Sequence, residues 1–463
     1  MKIITYGVFS AVFLTVFFSA CGSHSDSETA HLPVTTMDAI QKKAPEWSQN
    51  ATIYEVNLRQ FSESGTIAAF QESLPRLKEM GVKILWLMPI QPIGEKNRKG
   101  TLGSYYSIKN YTAVNPEFGT LADFKNMVRA AHESGMFVIL DWVANHTAWD
   151  HPWVSEHPDW FTSDSSGNMQ PPVADWHDVV DLNYENHAMR AAMLDALKFW
   201  VREADVDGFR CDVAEMVPLD FWRAARSALD VIKPVFMLAE GEKAELHEAF
   251  DMTYGSKFHH LLNSVAMGEN TANDLAEHII LDEATYPADA YRMQFTTNHD
   301  ENSWNGTVFE RLGDGAEACA VLAGLVPDMP LVYNGQEAGM DKRLDFFEKD
   351  PIEWREHHYF EIYKILLNLN LENKALWNGK AGGTFARIAG DNDAAVLAFT
   401  RTNGKYAVAG IFNLSGDKQS VQLSEAISGN FREPFSAKPS EVRTVQNNKF
   451  DLNPWEYRVF VKP

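Results

Sequence analysis

Between Ala51 and Gly335 the chain repeats one pattern: a short apolar run, a loop, then an amphipathic stretch. Eight apolar runs recur this way, at 52–58, 83–89, 136–143, 206–213, 235–240, 249–255, 292–297 and 330–334. Most are continuous rather than alternating, as expected of parallel strands buried on both faces. The stretches 67–80, 121–134, 189–204 and 316–325 supply helices between them. Gly81 and Gly135 stand where such helices would stop before the next strand. Eight strands alternating with helices predict an α/β fold, a (β/α)8 TIM barrel. A doubly wound sheet also alternates, so the count by itself leaves that alternative open.

Two regions break the pattern. About 45 residues, rich in Asp, Trp, His and Pro, separate the third run from the helix at 189–204. An unstructured loop of that size is uncommon in a compact domain, so 144–183 is expected to form a small inserted domain. After residue 380 the runs shorten, at 384–388, 394–401, 406–413, 420–423 and 456–461, with turn residues between them. That change predicts a barrel over 46–380 and a C-terminal all-β sandwich domain over 381–463.

The N-terminus reads as a targeting segment. Lys2 precedes an apolar run over 3–20 that ends in small residues and Cys21. This is the make-up of a secretory signal. Phe18-Ser19-Ala20-Cys21-Gly22-Ser23 resembles a bacterial lipoprotein cleavage box. The resemblance implies removal of 1–20, a lipid on Cys21 and a cell-envelope location, with 21–45 as a polar tether. A retained anchor helix, or an ordinary signal with a chance cysteine, is the alternative. Cys211 and Cys319 cannot make a disulfide framework. No H-E-x-x-H or C-x-x-C spacing points to zinc or redox chemistry.

Charge narrows the partners. Lys and Arg number 41 against 63 Asp and Glu, a net charge of -22. Phosphate binding needs clustered cations, so nucleic acid is excluded as a partner. Neutral and cationic ligands remain. Aromatics make up 12% of the chain, which suits the flat faces of sugars and equally suits a large core.

Active residues of such barrels gather where strands end. The third run closes on Asp141-Trp142-Val143-Ala144-Asn145-His146, and the fourth on Gly208-Phe209-Arg210-Cys211-Asp212. The fifth closes on Ala239-Glu240 and the seventh on Thr297-Asn298-His299-Asp300. Charges in otherwise buried segments are costly unless paired, and their coincidence at one barrel face suggests a site. Adjacent fourth and fifth strands would set Asp212 and Glu240 across the mouth from each other. Two opposed carboxylates are the apparatus of retaining glycoside hydrolysis, one attacking the anomeric carbon and the other protonating the leaving oxygen. Arg210, two residues before Asp212, would hold that carboxylate ionised, and a drier setting would keep Glu240 protonated. His146, His299 and Asp300 can bind hydroxyls of the same sugar ring.

These segments resemble the four motifs of glycoside hydrolase family thirteen, the α-amylase family, in order and on the matching strands. Asp181-Leu182-Asn183, Leu87-Met88-Pro89 and Tyr333-Asn334-Gly335 are also similar to family segments. The resemblance implies Asp212 as nucleophile, Glu240 as acid/base and Asp300 as the third carboxylate. It implies substrate contacts from Tyr106, His146, Arg210 and His299, with Tyr106 stacking on a sugar. The implied substrate is an α-glucan oligo- or polysaccharide, cut at internal bonds. Exo-acting α-glucosidase, α-glucan transglycosylase and a non-catalytic glucan-binding protein are the alternatives. The family's Ca2+ implies Asn145 and Asp181 as metal ligands, although calcium takes about 6–8 oxygens and no others are placed. Asn110, Glu215 and Met216 depart from the family pattern, which bears on subsite preference.

Overall fold

The computed structural model describes residues 44–462. The signal expected over 1–20, the lipid expected on Cys21 and most of the expected tether lie outside the described residues. Among the described residues no helix is long and apolar enough to cross a membrane.

Eight parallel strands close a barrel: β1 (Ile53–Val56), β2 (Ile84–Leu87), β3 (Phe137–Trp142), β6 (Gly208–Cys211), β7 (Phe236–Ala239), β8 (Met252–Tyr254), β9 (Tyr291–Gln294) and β10 (Met329–Tyr333). Around the barrel they run β1-β10-β9-β8-β7-β6-β3-β2. All eight expected runs carry a strand, and the doubly wound alternative falls because the sheet closes. Every residue of β1, β2, β6 and β7 is buried, which is why these runs read as continuous rather than alternating.

The barrel interior is filled by Ile53, Ile84, Trp86, Ile139, Phe236, Leu238, Met252, Met293, Met329 and Leu331. Trp47 closes the bottom, stacked on Phe137 with ring centroids 3.9 Å apart. Helices cover the outside. Leu121–Glu133 opens on a capping box between Thr120 and Asp123, which satisfies donors that a helix start leaves free. Leu74–Met80 ends on Gly81 at φ 97°, a left-handed cap whose amide bonds back to Leu77 and Lys78 carbonyls. At Gly208 a Cβ would fall 1.8 Å from the Phe236 carbonyl oxygen, so only glycine allows β6 to lie this close to β7. That approach brings the ends of these two strands together.

The segment after β3 carries an antiparallel pair, β4 (His146–Ala148) and β5 (Val179–Asp181), with His146 opposite Asp181. Beyond the barrel, β11 (Thr384–Arg387), β12 (Val396–Asn403), β13 (Tyr406–Asn413) and β16 (Tyr457–Lys462) form one antiparallel sheet. β14 (Gln419–Phe431) and β15 (Arg443–Leu452) form a hairpin. The sheet and the hairpin share an apolar cluster that includes Ile411, Val421, Ile427, Phe450 and Phe460. Arg401, on β12, is buried and donates to the carbonyls of Leu325, Val326 and Trp377 at 3.3, 2.9 and 3.1 Å. It ties this β domain to the end of the barrel helix Ala316–Leu325.

Candidate active site

Arg210 is the centre of the site. It precedes Asp212 by two residues, so both project from one face of β6. The wholly buried guanidinium meets three carboxylates: Asp141 at 3.0 Å, Asp212 at 3.1 Å and Glu240 at 3.0 Å. Its Nε donates to the Tyr254 hydroxyl at 3.0 Å. A cation this deep is tolerated only with such a full set of partners. Asp141, from β3, also accepts from Trp86 Nε1 and the Tyr106 hydroxyl, each at 3.1 Å.

Glu240 follows β7 and accepts the Val213 amide at 2.7 Å. Val213 takes φ 36° and ψ 48°, a left-handed conformation that is costly for a β-branched residue. Burial pushes Asp212 well up, and the charge of Glu240 adds to that rise. Burial also pushes Glu240 up, but Arg210 and the Val213 amide outweigh it and bring Glu240 below its ordinary value. A proton bound by this pair is therefore favoured on Asp212 over Glu240. The expectations that Arg210 holds Asp212 ionised and that a drier setting raises Glu240 are both corrected here: burial and the charge of Glu240 raise Asp212, while Arg210 and the Val213 amide lower Glu240.

The two histidines differ in charge. His299 Nδ1 lies 2.5 Å from Glu55 Oε1, and its Nε2 lies 2.8 Å from the Tyr106 hydroxyl and 3.2 Å from Asp300. Burial disfavours the imidazolium, yet Asp300 and Glu55 outweigh it and push His299 up to about 9. Burial takes His146 down to about 4, so it is neutral near pH 7.

A cavity of ≈ 500 Å³ opens over these groups. Tyr106, His146, Asp212, Glu240, His299 and Asp300 all line it, and Trp176, Trp304, Phe346 and Phe347 add aromatic walls. Arg210 does not line it; the guanidinium lies buried beneath the carboxylates. Tyr106 is stacked on His299 at 5.5 Å and held by two hydroxyl bonds.

Asn145 and Asp181 stand apart from this cavity. Asn145 Nδ2 contacts His146 Nδ1 at 3.3 Å, and Asp181 accepts the Thr162 hydroxyl at 2.8 Å. Burial raises Asp181, and no neighbouring carboxylate joins it. Among the described residues no three His, Cys, Asp or Glu converge to hold a metal. These two side chains could supply two of the ~6–8 oxygens that calcium takes. Glu215, where the family pattern departs, accepts the Glu242 and Lys243 amides at 2.7 and 3.1 Å and braces the loop after β7.

Glu55 was not expected in the site; its only signal was a lone carboxylate inside an apolar run. The aromatic walls at Trp304, Phe346 and Phe347 were not expected either, and no local signal for them existed.

A closed parallel barrel with two carboxylates on one guanidinium at its strand ends, followed by a β domain, defines a glycosidase. The family described as Alpha amylase, catalytic domain, matches residues 48–177 and 173–375. The chain belongs to the alpha-amylase family. It is 31% identical to a noncanonic maltogenic alpha-amylase, AmyB, from Thermotoga neapolitana, with a TM-score of 0.82 over 90% of this chain and 99% of that one. An alpha-amylase from Lactobacillus plantarum is also 31% identical, with a TM-score of 0.80 over 90% of this chain and 100% of that one. Alpha-amylase MalA of Haloarcula japonica is 27% identical over 84% of this chain, which spans 60% of that relative's length. Alpha-amylase 3 of Dictyoglomus thermophilum is 28% identical over 74% of this chain and 75% of its own.

Proposed function

We propose that the protein is a retaining hydrolase of α-glucans that cleaves α-1,4 bonds in starch or maltodextrins. The relatives' names, alpha-amylase and maltogenic alpha-amylase, support the substrate class. The observation that carries the chemistry is the single guanidinium shared by Asp212 and Glu240 at the cavity floor.

In the reacting arrangement the pair's proton sits on Glu240. Asp212 attacks the anomeric carbon while Glu240 gives that proton to the glycosidic oxygen, and the leaving chain departs. Glu240 then takes a proton from water, whose oxygen displaces Asp212 and restores the starting charges. Asp300 and the cationic His299 grip ring hydroxyls, and neutral His146 accepts or donates on the other side. The held ring of Tyr106 offers a flat face to the sugar. Arg210 acts through the carboxylates, keeping both in place and lowering the cost of their charge.

Asp212→Asn is expected to lower kcat on maltooligosaccharides on the order of ten-thousand-fold with the fold retained. Full activity in that variant would refute the mechanism. We further propose export with residues 1–20 as signal and a lipid on Cys21, on the strength of the residue pattern around that cysteine. Radiolabelled fatty acid should enter the wild type and not Cys21→Ala; equal labelling refutes the anchor.

A further inference from the structure

One wall of the catalytic cavity is knit from three segments that lie far apart in the chain. Lys99, in the loop after β2, places its ammonium 3.3 Å from Asp178 and donates to the Asp175 carbonyl at 2.8 Å. Both partners belong to the segment between β4 and β5. Two residues on, the Thr101 amide donates to Glu348 at 2.8 Å and the Leu102 amide to the Phe347 carbonyl at 3.1 Å. Buried Arg59 fastens the same two loops from below, donating to the Gly103 carbonyl at 3.0 Å and the Phe346 carbonyl at 3.4 Å. The rim thus runs unbroken from Asp178 through Lys99 to Phe347, and all three residues line the cavity.

The chemistry says which end this rim occupies. Glu240 protonates the leaving oxygen, so the leaving chain lies toward the β7 loop. The glycone lies on the other side, against Tyr106 and the rim. A chain threading past Lys99 would have to part it from Asp178, whose side chain is only 6% exposed. That would strand a buried carboxylate, a costly outcome.

We infer that the Lys99–Asp178 crossing closes the glycone end of the cleft. The enzyme therefore acts from non-reducing chain ends and releases a short glycone, with Lys99 as a specificity-determining residue. The inference rests on the α-glucan hydrolase reading above.

The test compares two chromogenic maltooligosaccharides of equal length, one free and one chemically blocked at its non-reducing end. Wild-type kcat/KM should favour the free substrate by about a hundredfold. Lys99→Ala and Asp178→Ala, checked for folding by thermal melting, should each narrow that preference about tenfold, and Lys99→Arg should keep it. Equal wild-type rates on the two substrates, or an unchanged preference in Lys99→Ala, would overturn the inference while leaving the hydrolase reading intact. A wild type inactive on both would instead overturn the hydrolase reading itself, and this inference with it.

Discussion

Glu55 on the first barrel strand and His299 after the seventh are held 2.5 Å apart in the barrel interior, each almost wholly buried. The carboxylate, together with Asp300, keeps the imidazole charged up to about pH 9. The folded-state pKa lies above the ordinary ~6.5 for histidine, so this pair's stabilisation is full below about pH 6.5. It is lost as pH rises through about 9.

Glu55→Gln removes one of the two charges that raise His299. The alkaline limb of the kcat/KM profile should then move about one pH unit toward acid, and stability at pH 6 should fall more than at pH 8. A pH–rate profile identical to wild type would show that Glu55 does not set the charge of His299.

Arg210 serves three carboxylates through a planar fork, which lysine cannot reproduce. Arg210→Lys should cost about 3–5 kcal/mol in denaturant unfolding, because buried carboxylates lose their partner. Activity should fall with it. Near-wild-type stability in urea would show that the three acids find other compensation.

Val213 holds a strained backbone that presents its amide to Glu240. Val213→Gly relieves that strain, and the thermal midpoint should rise by the equivalent of about 1 kcal/mol. The freed loop should hold Glu240 less well, lowering kcat severalfold. A variant less stable than wild type would mean that the Val213 side chain contributes more than the strain costs.

Among the described residues no three His, Cys, Asp or Glu converge beside Asn145 and Asp181, and calcium takes about 6–8 oxygens. Exhaustive chelation should leave both melting temperature and activity unchanged. A chelation-induced loss, restored by calcium and abolished in Asp181→Asn, would show that these residues ligate after all.

The barrel was readable because parallel strands buried on both faces leave long apolar runs in the sequence. The expected helix over 67–80 splits into Ile67–Gln71 and Leu74–Met80, with Pro75, which lacks the amide a continuous helix needs, in the first turn of the second. β15 went unread because seven of its ten residues are exposed, so its strand carries little apolar pattern. In the site, the strand-end motif residues could be read, since a charge closing an apolar run stands out locally. Lys99 and Phe347 could not, because what matters is the meeting of two loops, and no local pattern encodes that.

Arg401 has a consequence for how this protein can be taken apart. Burial lowers its pKa to about 10, and the carbonyls it satisfies belong to the barrel rather than to its own domain. Excising the β domain would strip those carbonyls of their donor, and grafting in another would require an arginine at the same place. In modular terms the barrel accepts a different β domain only if that domain brings the same buried donor to its edge.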